Sequence, residues 1–291
     1  MGREAIALAE VTVTVPATVG ETLQHDLRGI AVVWRREMIR FFRNRMRIVT
    51  SLVQPILFLF VLGTGLARLI PGGAGFDFRT FMFPGILAMT VLFTAIFSAV
   101  SIVWDREFGF LREMLVAPIG RTALVMGKIL GGGTVATVQA AIMLALAGLV
   151  RIPYSPTMLL ALLGMMALTA FTVTAVGTLV ASRMTQIESF QVVIQFIVLP
   201  MFFLSGAVFP VSQLPAWLEA LTRVDPLSYA VDPMRGAIFG HIGVAPKVAA
   251  ILNPGMTWAG WHVATWLELL VMALIGVVSL IGAAVQFSRT E

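Results

Sequence analysis

The sequence predicts an all-α integral membrane protein with six transmembrane helices, an N-terminal amphipathic interfacial helix and short outer re-entrant helices. Three observations predict it. The 291 residues are 58% hydrophobic and only 12% charged, about half the charge of a soluble domain. Six apolar runs come near or exceed the roughly 20 residues that a helix needs to cross a bilayer. The charged residues gather between those runs or before the first of them, where water or lipid head groups can receive them.

Composition also excludes. With no cysteine, disulfides, thiolate metal sites and cysteine catalysis are ruled out. The net charge of +5 does not point to nucleic acid, because the arginines lie beside apolar runs, as membrane-flanking charge does. Residues 1–20 read as a loosely ordered tail. Glu10 and Pro16 interrupt their apolar pattern, so they form no signal-peptide core.

Residues 21–47 have helical, amphipathic periodicity. Leu23, Leu27, Ile30, Ala31, Trp34, Met38 and Phe41 share one face, and Arg36, Arg40, Arg43 and Arg47 form a second stripe. Such a helix lies in the interface with its arginines at anionic head groups, unless the stripe is a plain solvated basic face. Residues 48–291 hold the spans, read as 48–70, 81–104, 123–150, 157–181, 190–209 and 261–287. Between them stand Pro71-Gly72-Gly73, a charged insert at 105–122, Arg151-Ile152-Pro153 and the segment from Arg183 to Glu188. Fourteen of the 20 basic residues fall on the side of the N terminus and the insert. That asymmetry places both termini and the insert in the cytoplasm. On the other side, residues 205–260 are too apolar for a solvated loop. Pro215 opens one short helix, and Asp225-Pro226 reads as an N-cap and first-turn proline opening a second towards Phe239.

The charged insert is the most informative segment. Asp105, Arg106, Glu107, Arg112 and Glu113 cost about 2.5–3.5 kcal/mol each at the centre of hydrocarbon, so they are expected in water or against another protein. Phe108, Leu111 and Leu115 recur at helical spacing, which leaves an apolar stripe suited to a partner's groove. The sequence from Gly120 to Lys128 is no phosphate loop. Six residues separate Gly120 from Gly127-Lys128, and Ile129 stands where Ser or Thr would hold magnesium. Lys128 reads as a snorkelling residue at the start of a span. Gly127, Gly131, Gly132, Gly133 and Ala136 form a small-residue surface for close helix packing.

No reactive constellation is present: no catalytic residues, no cofactor site, and no metal-ligand spacing among His25, His241 and His262. Glu268 is the one acid well inside a span. It is a functional candidate, an ion-pair partner for Arg68 or Arg235, or a hydrated vestibule group. Gln191 and Gln195 share a face with Phe202, and Gln139 lies inside the third span. These residues line a substrate path or bond neighbouring helices, the second being favoured.

The run Glu107-Phe108-Gly109-Phe110-Leu111-Arg112-Glu113-Met114-Leu115-Val116-Ala117-Pro118, then Phe203-Leu204-Ser205-Gly206-Ala207-Val208-Phe209-Pro210, Leu214-Pro215, Asp225-Pro226-Leu227-Ser228-Tyr229 and Arg235-Gly236, together resemble the permease subunits of type-2 ABC exporters. The similarity is to the daunorubicin-resistance and nodulation-factor exporter types. The resemblance implies a six-span permease of the bacterial inner membrane that dimerises, with itself or a paralogue, and binds two soluble ABC ATPase subunits. ATP and magnesium would bind those subunits and not this chain. It also implies that the loop bearing Arg106, Glu107, Phe108, Leu111, Arg112, Glu113, Leu115 and Pro118 is the ATPase-coupling helix, working beside the interfacial helix. The expected function is ATP-driven outward movement of an amphipathic or hydrophobic substrate such as a drug, lipid or glycolipid. The alternatives are polysaccharide export by the same architecture and an ATP-independent channel or secondary transporter.

Overall fold

The computed structural model describes residues 19–66, 78–109, 120–211, 214–244, 246–258 and 261–289. Residues 1–18 of the expected tail lie outside them, as do Arg68 and the coupling residues Leu111, Arg112, Glu113, Leu115 and Pro118.

Six described helices are long and apolar enough to cross a membrane. Helix α1 (Val19–Arg43) precedes them and ends at Asn44, whose side chain accepts the Arg47 N–H at 3.0 Å and starts α2 (Arg45–Leu57). The break assigns Arg36, Arg40 and Arg43 to α1 and puts Arg47 on the first span. That span passes through Pro55 and a π-helical turn, Phe58–Leu62, into α3 (Gly63–Leu66). The other spans are α4 (Phe78–Glu107), α5 (Arg121–Leu144), α6 (Pro156–Ala181), α7 (Ile187–Leu204) and α11 (Thr265–Arg289). Between α7 and α11 come the short helices α8 (Ala216–Val224), α9 (Ser228–Ile242) and α10 (Pro246–Leu252), then strands β1 (Thr257–Trp258) and β2 (Trp261–His262), paired antiparallel.

Three boundaries differ from the periodicity. The third span stops at Leu144 and not near Val150, because the Tyr154 hydroxyl donates to Ala145 O at 2.7 Å and accepts Gly148 N at 2.9 Å, folding a 3-10 turn at Ala147–Val150. The fifth ends at Leu204, where Gly206 takes a φ of 72° and hands its carbonyl to Arg235 at 2.6 Å. The last begins at Thr265 because Trp261 and His262 pair in β2. Asp225 was expected as the N-cap, but the helix opens at Ser228 with Leu227 in the capping position; the Asp225 carboxylate instead accepts Leu227 N at 3.0 Å in the turn that precedes it.

The core is built around α4, α5 and α6, with α11 on α6 and α1 on α5. The glycines on α5 set the distances, as their spacing suggested. A Cβ on Gly127 would lie 2.7 Å from Val33 Cβ and one on Gly131 2.8 Å from Glu37 Cβ, so these two seat α1. Gly132 and Gly133 seat Ser98, Thr174 and Phe171 on the far side. One face of each of α2, α7 and α11 is left open.

Candidate functional site

The end of the bundle that bears the charged insert is organised by ions inside the fold. Lys128, near the start of α5, is buried, and its Nζ lies 2.6 Å from Asp105 Oδ2 and 3.0 Å from Glu37 Oε1, with Ser101 Oγ at 3.1 Å. Arg36 reaches Asp105 Oδ1 at 3.3 Å, and Arg40 lies 3.9 Å from Glu37 Oε2. One cluster thus fastens α1, α4 and α5. Two expectations are corrected here. Lys128 does not snorkel, and Asp105 is buried and paired within this chain, because α1 brings a second carboxylate and further cations to the same point. The signal was present in the sequence: Glu37 is the one acid among the arginines of α1, on the same face as Val33 and Phe41.

The last turn of α4 also ties down its own chain. Arg106 Nη1 donates to Ser182 O at 2.9 Å and Met184 O at 3.0 Å, and its guanidinium stands over the Phe287 ring. Glu107 Oε2 accepts Ile187 N at 2.8 Å, which caps the start of α7. Phe108 differs. It is 57% exposed, with its ring against Trp104 at 5.0 Å between centroids.

The candidate path residues separate. Gln191 and Gln195 line a groove between α2, α4 and α7. Gln139 is buried and donates to Ile48 O at 3.1 Å, a bond between helices, and Phe202 packs edge-on against Phe58 in the core. Glu268 is buried at the opposite end, where its carboxyl meets that of Asp232 on α9. Of the two arginines expected as its partner, Arg235 instead bonds Gly206 O and sits 4.2 Å over the Phe81 ring, and Arg68 lies outside the described residues. Burial pushes Arg235 down to about 10, which leaves it charged at neutral pH.

The groove also holds Thr50, Ser51 and Gln54, which the periodicity did not single out. With Arg47 they form a polar stripe at helical spacing on the exposed face of α2, opposite Gln191 and Gln195. Hydrocarbon tolerates such groups poorly, so this face is not simply a lipid surface. The exposed face of α11 is the contrast: beyond Trp266 at its start, Leu270, Leu274, Val278 and Ile281 carry no polar group. On α1, Trp34 is partly exposed and donates to Thr134 Oγ1 at 3.1 Å, while Arg43 faces outwards.

Fold and site together define a multi-pass helical membrane protein whose open polar groove ends at a buried ion cluster. Residues 28–239 match the family model described as ABC-2 type transporter, and the chain belongs to that family. It is 29% identical to nodulation protein J of Rhizobium leguminosarum bv. trifolii over 234 residues, 78% of this chain and 87% of that protein. Nodulation protein J of Rhizobium meliloti is 28% identical over 73% of this chain and 83% of its own length. The "Probable multidrug ABC transporter permease YbhR" of Escherichia coli K12 is 32% identical over 54% of this chain and 43% of that protein. The family's permeases lack an ATPase domain and partner ABC ATPase subunits, where ATP binds. The chain is therefore a transport permease of that family.

Proposed function

We propose that this permease exports an amphipathic or hydrophobic substrate through a path lined by α2 and α7 and closed by a second permease, with both termini and the insert in the cytoplasm. The observation that carries this reading is the polar stripe on a span that the single chain leaves uncovered. Buried against a second copy, or facing water and substrate between two copies, Gln54, Gln191 and Gln195 gain partners that lipid does not offer. A soluble ATPase is proposed to dock at the loop after α4, where Phe108 stands exposed, and beside α1. A push there would bear on Asp105 in the last turn of α4, whose ion pairs with Lys128 and Arg36 join α4 to α5 and α1. Transport follows if the ATPase binds the two permease conformations with different free energies.

The natural lack of cysteine allows single cysteines to test this directly. Phe196→Cys on the exposed face of α7 should give an oxidative dimer in membranes, and Val278→Cys on α11 should not. A membrane-impermeant thiol reagent should label Trp217→Cys, but not Phe108→Cys, in intact cells. Phe108→Ala should weaken co-purification of the ATPase while insertion survives. Dimer formation through Val278 and not Phe196, or outside labelling at Phe108, would overturn the arrangement.

A further inference from the structure

The groove has a polarity gradient along its length, and the gradient identifies a class of cargo. Two cavities, of about 670 and about 430 Å³, share Gln54, Phe93, Phe97, Val100 and Gln191 and so form one continuous space. The second is walled by Phe93, Phe97, Ile194, Val198 and Leu199, with amides as its polar points. The first runs from this wall down past Thr50 and Ser51 to Asn44, Arg47 and Arg40. At that end the charges do not balance. The carboxylates of Glu37 and Asp105 face Lys128, Arg36 and Arg40, and Arg47 adds a fourth cation whose contact is a backbone carbonyl, Phe97 O at 3.5 Å. Among the described residues that line this end, Arg40 and Arg47 stand against one carboxylate, Glu37, an excess of positive charge at the mouth of an apolar slot.

From this juxtaposition we propose that the groove takes acidic amphiphiles: an acyl or other apolar chain against Phe93, Phe97 and Ile194, and a carboxylate, sulfate or phosphate group at Arg40 and Arg47. This rests on the reading of the groove as the transport path and adds the charge of the cargo. Arginine suits the role because its planar fork binds such oxyanions in pairs of hydrogen bonds while remaining charged in a partly dry site. The competing role for these arginines is to hold the head groups of the surrounding bilayer, which would leave the groove indifferent to the charge of what enters it.

The test uses the purified chain in nanodiscs of zwitterionic lipid and two probes, dansyl-labelled undecanoic acid and its primary amide. Empty nanodiscs correct for partition. Binding is read as energy transfer from tryptophan, with Trp104 in the cavity wall as the nearest donor. The acid should bind at least about tenfold more tightly than the amide. Arg40→Gln/Arg47→Gln should bring the two to parity by weakening the acid alone, and Phe97→Ala should weaken both alike. Equal affinity in the natural sequence, an acid preference that survives loss of both arginines, or no binding by either probe would overturn the proposal. Co-purification of the ATPase and the Phe196→Cys dimer report separately on the exporter reading, so either can fail without the other.

Discussion

Lys128 Nζ stands 2.6 Å from Asp105 Oδ2 where α4 and α5 are tightly packed, and both side chains are closed off from solvent. Glu37 of α1 completes the pair at 3.0 Å. A charge placed in such surroundings is tolerable only with its partners present, and taking one away leaves the others uncompensated.

Lys128→Met is therefore expected to destabilise the protein by about 3–5 kcal/mol, since it removes the buried cation shared by two buried carboxylates and leaves them only the half-exposed Arg36 and Arg40. Adding Glu37→Gln and Asp105→Asn should recover most of that loss, because a neutral set no longer needs the ammonium. Thermal unfolding in detergent, followed by circular dichroism, compares the single and triple variants. A triple variant no more stable than Lys128→Met would show that the cluster is not the source of the loss.

Two helix glycines, one on α5 and one on α6, give a contrast in sign. Gly131→Ala would put a methyl 2.8 Å from Glu37 Cβ and should push α1 away, costing about 1–3 kcal/mol by overpacking. Gly164→Ala on α6 has open space within 4 Å and should instead stabilise the helix by roughly 0.5–1 kcal/mol. The same unfolding measurement reads both, and equal effects would refute the packing argument.

At the other end of the molecule, burial raises the Asp225 carboxyl to about 7, against the hydrogen bonds from Leu227 N and Ser228 Oγ, which favour its ionised form. The folded protein thus keeps a proton that the unfolded chain releases near pH 4, as ordinary aspartates do at about 3.9. Its contribution to stability is full below that range and is lost as pH rises through about 7. Melting temperatures measured from pH 5 to pH 8 should fall with rising pH, and Asp225→Asn should flatten the dependence while its amide oxygen still accepts Leu227 N in the turn. A steeper slope in Asp225→Asn would contradict this.

Much of the fold was legible because its signals are local. Six apolar runs, turn residues between them and a helical arginine stripe need no knowledge of neighbours. Even the close approach at Gly127 and Gly131 was visible as small-residue spacing. The site was legible only in part. Phe108 was expected at a partner contact and is exposed. Arg106 and Glu107 bond Ser182 and Ile187, far along the chain, and periodicity carries no information about such partners. The stripe of Arg47, Thr50, Ser51 and Gln54 could have been found by asking which span is polar on one face. Its arginine was instead counted with the interfacial helix, which the Asn44 cap ends sooner.

By itself, the sequence determined that this chain lives in a membrane as six helices with an amphipathic helix before them, because hydrophobic length and charge exclusion are properties of each segment alone. The tertiary structure decided which charges are partners, which amides are buried and which face of the bundle stays polar and open. Glu37, Asp105 and Lys128 lie on three different helices, and whether a charge is stable depends on what the fold brings within about 3 Å of it, where hydrogen bonds form.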